Sequence, residues 1–175
     1  MNRRRVMKTM AAAAVTALGA RPAKAASKEA ATYLKRWNTA KEFCLKVVDV
    51  MPEDGGDYRP NPVEMGFNKL FTHIAAANTR YFQRIKGQEP PMKEPEKADK
   101  ATAKKFLVEC FDWCAEILGN MSTEDLEKMY PGAANALAVS GRDLVLNGFI
   151  HTAHHRAQAE VYLRVKGLEP PRYAV

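Results

Sequence analysis

Apolar residues recur every three or four positions over most of this chain, the spacing of helices that bury one face. From about Lys28 to Val50, Tyr33, Leu34, Trp37, Ala40, Phe43, Cys44 and Val47 fall on one side. The segment MPEDGGDYRPNP then breaks the pattern with proline and glycine, and reads as a loop. Asn61-Pro62 offers an N-cap followed by proline at a first helical position. A second helix is predicted from there to Lys86, stopping at Gly87 with Pro90 and Pro91 beyond. After the polar linker KEPEKADK, a third helix is predicted from Asp99 or Lys100 to Gly119-Asn120. Ser122-Thr123-Glu124-Asp125 caps a short helical piece reaching about Lys128, broken at Pro131-Gly132. The last long helix begins between Ala138 and Arg142 and ends at Gly167. No segment alternates with the period of a strand. Four long amphipathic helices predict an all-α fold, an antiparallel four-helix bundle.

The first 25 residues stand outside that pattern. MNRRRVMKTMAAAAVTALGARPAKA has a basic start, an alanine-rich middle and the small-x-small pattern Ala23-Lys24-Ala25. Asn2 to Lys8 fits the twin-arginine export pattern, with an ordinary Sec signal as the alternative. The apolar run is too short to span a bilayer, which takes about 20 apolar residues. Residues 1–25 are therefore expected to be an export signal and residues 26–175 a single exported, periplasmic domain without stable membrane insertion.

Removing that signal changes the electrostatic picture. The formal net charge is +7, and Arg3, Arg4, Arg5, Lys8, Arg21 and Lys24 supply six of those charges with no acid among them. The remaining chain carries about +1, without the clustered excess of Lys and Arg that binding to phosphate backbones requires. This argues against a nucleic-acid partner.

Cys44, Cys110 and Cys114 are odd in number, so at least one thiol is unpaired unless it bridges chains. Cys110 and Cys114 share a helical face with Phe106, Leu107, Ile117 and Leu118, which reads as core packing. The competing readings are a thiol pair or an extra metal ligand, and an intrahelical disulfide at this spacing would need distorted geometry.

The histidines carry the chemistry. Three of the four lie in HTAHHRAQ, as His151, His154 and His155, and the fourth is His73 in the second helix. His151 and His155, at i and i+4, share a face. The second and last helices end alike, in RIKGQEPP and RVKGLEPP. If the long helices alternate up and down, those two run parallel and stop at similar heights. His73 then lies 14 residues before Gly87, and His151 and His155 lie 16 and 12 before Gly167. All three would sit about 21 Å from the same end. Three imidazoles at one level are a ligand set for one divalent ion, with open positions for water or substrate. Bare HxxxH lacks the glutamate of the zinc-protease motif HExxH. His154 is displaced to the flank of that face, so it is expected beside the site or at the surface. Gln158 lies nearer the inward stripe, placed to hydrogen-bond a ligand imidazole or a bound water.

HTAHHRAQAEVYLRVKGLEPP resembles the closing helix of the DinB/YfiT-like superfamily, with its HxxHHRGQ followed by a Tyr-Leu-Arg helix end, Gly and a double proline. His73 matches the upstream ligand of that family. The resemblance implies a four-helix bundle holding a divalent metal through His73, His151 and His155. It further implies chemistry like that of relatives that transfer or isomerise with mycothiol, bacillithiol or glutathione. Two features depart from the pattern. Ala157 stands where glycine is usual, a mild change because alanine favours helix, and export would separate the chain from those cytoplasmic thiols.

Three functions are compatible with these features. One is a metal-dependent hydrolase or thiol transferase acting on a small-molecule substrate. The others are a non-catalytic metal-binding protein and a protein-interaction bundle. Imidazole suits zinc, nickel or iron alike, and a homodimer is left open. Covalently attached haem is argued against by the absence of CxxCH.

Overall fold

The computed structural model describes residues 26–132 and 137–173. The export signal expected at 1–25 lies outside the described residues. Helix α1 is Lys28–Val50, opened by Ser27, whose side chain accepts from the Ala30 amide at 3.0 Å. Its apolar face buries Trp37, Phe43, Cys44, Val47 and Val48, with Tyr33, Leu34 and Ala40 packed at the margin.

Helix α2 is Phe67–Lys86, so it begins six residues after Asn61. The Asn-Pro signal is used locally instead. The Asn61 side chain accepts from the Val63 amide at 3.2 Å, and the Asn61 carbonyl accepts from the Glu64 amide at 3.0 Å. Gly66 is then extended, with ψ 156°, and that turn cannot propagate into a helix. The C-terminal stop is as expected: Gly87 takes a left-handed conformation at φ 71°, and its amide bonds to the Gln83 carbonyl.

The linker from Gly87 to Asp99 runs back along α2 instead of crossing its end. Glu94 pairs with Lys69 at 2.6 Å, and the Ala98 carbonyl accepts from the Asn68 side chain at 3.1 Å. Helix α3, Lys100–Gly119, therefore starts beside the beginning of α2 and runs parallel to it. Against α1 it is antiparallel: Lys104 meets Asp49, Lys41 meets Asp112, and the Trp37 indole donates to the Phe111 carbonyl at 3.0 Å. A short helix α4, Thr123–Glu127, opens on a capping box between Ser122 and Asp125. Two-residue strands β1, Met129–Tyr130, and β2, Val139–Ser140, then pair antiparallel ahead of α5, Gly141–Val165. That small ladder had no counterpart in the sequence pattern, since two residues are too few to show a strand period.

Along α5, Arg142 reaches Glu29 and Arg156 lies over Phe43, so α5 is parallel to α1. Against α2 it is antiparallel: Tyr162 bonds to the Met65 carbonyl at 3.1 Å, and Thr152 accepts from Asn78 at 2.9 Å. The four-helix bundle is thus built from the antiparallel pairs α1/α3 and α2/α5. Strict up-and-down alternation does not hold. The order is up, down, down, up, because the long linker returns the chain to the start of α2, so the second and last helices are not parallel.

Trp37 anchors the centre, fully buried, with ring centroids 4.8 Å from Phe111, 5.0 Å from Phe82 and 5.3 Å from Phe149. Each such aromatic pair contributes about 0.5–1.5 kcal/mol beyond burial of its area. Gly148 lets α5 approach this cluster: a Cβ there would stand 3.2 Å from the Trp37 ring. The same Cβ would stand 3.5 Å from Asn78 Oδ1 of α2, so Gly148 lies close to both helices. Among the described residues no helix is long and apolar enough to cross a membrane.

Candidate metal centre

His73 lies seven residues into α2, and His151 and His155 sit on consecutive turns of α5. Their common level is set by the antiparallel contact of Tyr162 with Met65. From that contact His73 is eight residues on, the last six steps within α2, while His155 and His151 are seven and eleven residues back along α5. At about 1.5 Å per residue these are heights of roughly 12, 10 and 16 Å. The assumed parallel ruler reached the same level for a different reason. His151 and His155 straddle the middle of α5, so reversing that helix exchanges their heights and leaves the pair at the same level.

One nitrogen from each of the three half-buried imidazoles lies within 4.8 Å of the others. His151 Nε2 and His73 Nε2 are 3.2 Å apart. Two nitrogens bound to one ion at 2.0–2.1 Å, at angles between octahedral and tetrahedral, stand about 2.8–3.4 Å apart. The observed spacing is that of such an edge. The rings stand edge to face or tilted, with centroids 4.5–5.0 Å apart, so their nitrogens converge instead of stacking.

Burial above all holds the His151 and His73 rings neutral. Burial, with the neighbouring His155 and His73, pushes the His151 pKa down to about 4. Burial and His155 lower His73 as well. Neutral imidazole is the form that binds a metal. The His151 Nδ1 atom is buried and finds no hydrogen-bond partner within the protein.

His155 is oriented by a chain of hydrogen bonds. Its Nδ1 is 3.0 Å from Gln158 Oε1, and Gln158 Nε2 donates to Glu64 Oε2 at 2.7 Å. A carboxylate accepts, so the Gln158 amide must turn its NH2 to Glu64 and its carbonyl to His155. His155 therefore carries its proton on Nδ1, and the Nε2 lone pair is free for a metal. Tyr162 closes the same cluster, with its hydroxyl 3.4 Å from Gln158 Nε2 and 3.5 Å from Glu64 Oε2. Burial and Glu64 raise its pKa.

Of the residues singled out in the sequence, His73, His151 and His155 are brought together and Gln158 contacts His155. His154 is exposed, its ring 4.7 Å from that of His155 but outside the converging set. Glu64 was missed. It comes from the loop placed inside the second helix by its Asn-Pro signal, and its meeting with Gln158 spans 94 positions. The cysteines are separate from this centre. All three are free and buried, and burial pushes the Cys44 and Cys110 thiols up to about 12 and raises Cys114 too. Among the described residues no cysteine or carboxylate joins the three histidines as a ligand set.

A comparison with curated proteins finds no match. Among solved structures, a DinB-like protein from Bacillus subtilis is similar with a TM-score of 0.67 at 20% identity, covering 81% of this chain and 97% of that one. A DinB-like protein from Bacillus cereus has a TM-score of 0.64 at 18% identity, covering 81% and 95%. These likenesses establish the shared fold. The sequence profile of the DinB family matches residues 24–175, a range that includes all of the described residues, and the chain belongs to the DinB family.

Proposed function

We propose that this DinB-family protein binds one divalent metal through His73, His151 and His155 and uses it outside the cytoplasm in a hydrolytic or thiol-transfer reaction on a small molecule. The observation that carries the reading is the convergence of three imidazoles from two helices, with the His73 and His151 Nε2 atoms 3.2 Å apart. Three neutral ligands leave the full charge of a divalent ion uncompensated, which supplies the Lewis acidity that activates water or a thiol near neutral pH.

The protein's own groups prepare that site. Gln158 fixes the tautomer and rotation of His155, and Glu64 fixes Gln158. Glu64 also lines a polar cavity of about 770 Å³ between the 53–66 loop, the start of α2 and residues 95–99. Thr72, next to His73, lines the same cavity. A cavity of that size suits a small-molecule substrate. Export is supported by the basic start, alanine-rich run and Ala23-Lys24-Ala25 of the first 25 residues.

The test is the metal content of the mature protein isolated from the exported fraction, beside a His73→Ala variant. About one equivalent of a single metal, lost in the variant, is the expected result. Wild-type protein without metal after reconstitution with zinc, nickel and iron would overturn the proposal.

A further inference from the structure

The opposite flank of α5 from the histidines carries a second concavity. Where His151 and His155 face α2, the residues Phe149, Thr152, Ala153 and Arg156 border a groove of about 320 Å³ against α1. Tyr33 and Phe43 form the α1 wall with Arg36, and Tyr173 of the C-terminal segment closes one end. Thr152 accepts a buried hydrogen bond from Asn78 of α2, so packed helix separates this groove from the histidine centre.

Its chemistry is aromatic and cationic. Tyr33, Phe43, Phe149 and Tyr173 line it, and among the described residues no acidic side chain does. The Arg156 guanidinium lies 4.5 Å from the centroid of the Phe43 ring and 5.3 Å from that of Tyr173, with only 12% of the side chain exposed. A guanidinium stacked by its face keeps its edge donors for an acceptor in the ring plane. One of those donors, Nε, goes to Glu160 at 3.3 Å. Glu160 is also paired with Arg164 at 3.7 Å, so two guanidinium groups share a single carboxylate and one positive charge is left over. Arg36 adds another at the wall of the groove.

We infer that this groove is a binding site for a small monocarboxylate with an aryl-alkyl body, its carboxylate on the edge of Arg156 and its apolar part among Tyr33, Phe43 and Phe149. Arginine recognises a carboxylate with paired, charge-assisted hydrogen bonds. The volume lies at the small end of ligand pockets, about 300–1,000 Å³, which limits the body to a single ring and a short chain.

Calorimetric titration of the mature protein, as isolated, with 4-phenylbutyrate and its neutral primary amide tests the assignment. Saturable one-to-one binding of the carboxylate is expected, with the amide weaker by about tenfold or more. Arg156→Gln weakens the carboxylate by a similar factor. Because Arg156 also packs on Phe43, Ala153→Trp serves as the second variant: residue 153 is exposed, and the indole fills the groove without disturbing the core. With its helical circular dichroism intact, Ala153→Trp abolishes binding, while His73→Ala binds like wild type. Equal binding of acid and amide, undiminished binding by Ala153→Trp, or absence of saturable heat would overturn the inference. So would loss of binding in His73→Ala, which would put the carboxylate at the histidines instead.

Discussion

Gln158 Nε2 stands 2.7 Å from Glu64 Oε2, joining α5 to the loop that precedes α2. The Gln158 carbonyl is turned to His155 by that contact. Glu64 is thus a positioning residue, acting on the candidate metal centre through an amide and an imidazole.

Removing this chain costs metal affinity without removing a ligand. Gln158→Leu is expected to lower affinity about 10–100-fold, the usual effect of losing an outer hydrogen bond to a ligating imidazole. Glu64→Gln, which keeps an acceptor, shows a smaller loss, and His154→Ala retains wild-type affinity. Competition with a chromophoric chelator measures all three. Wild-type affinity in Gln158→Leu would remove the orienting role assigned to this chain.

Gly141 opens α5 where the chain arrives from β2, and its amide bonds to the Lys128 carbonyl at 3.0 Å. A Cβ at this position would fall on the carbonyl oxygen of Asp125, a backbone atom that cannot swing aside. Gly141→Ala gains up to about 1 kcal/mol in helix propensity. Overpacking costs more here, for a net destabilisation of about 2 kcal/mol. Thermal unfolding should show a Tm lower by roughly 4–8 °C. An unchanged or higher Tm would contradict the close packing of α4 on the start of α5.

Glu29 at the start of α1 accepts from Arg142 at 2.7 and 3.0 Å and from the Tyr33 hydroxyl at 2.7 Å. The Arg142 bond, and then that of Tyr33, hold its carboxyl at about 2, below the ordinary 4.5. A carboxylate lowered on folding stabilises the protein above pH 4.5, and that contribution is lost as pH falls from 4.5 through 2. Both partners are about one-third exposed, so solvent screening keeps the contribution below about 1 kcal/mol. The Tm difference between wild type and Glu29→Gln should therefore shrink on acidification from pH 5 to pH 2. A difference that stays constant across that range would exclude the linkage.

Much of the fold was legible locally. The stripe on α1, the Asp99 and Ser122 caps and the left-handed glycine after α2 are fixed by side chains within one or two turns of where they act. The pairing of His151 with His155, and the displacement of His154 from their face, follow from the 3.6-residue turn alone.

Tertiary packing decided the rest, because it depends on contacts between distant segments. The helix direction reversed when Glu94 and Ala98 returned the linker to Lys69 and Asn68, an arrangement no local period records. The late start of α2 followed from the closed turn at Asn61 and the extended Gly66, which left Glu64 available to Gln158. The sequence by itself determined the helices, their buried faces and the two histidines that share a turn pair. Only the packed structure chose which helix faces them, brought His73 to their level and recruited Glu64. A face is set by rotation along one chain segment, whereas a site is set by the relative placement of several.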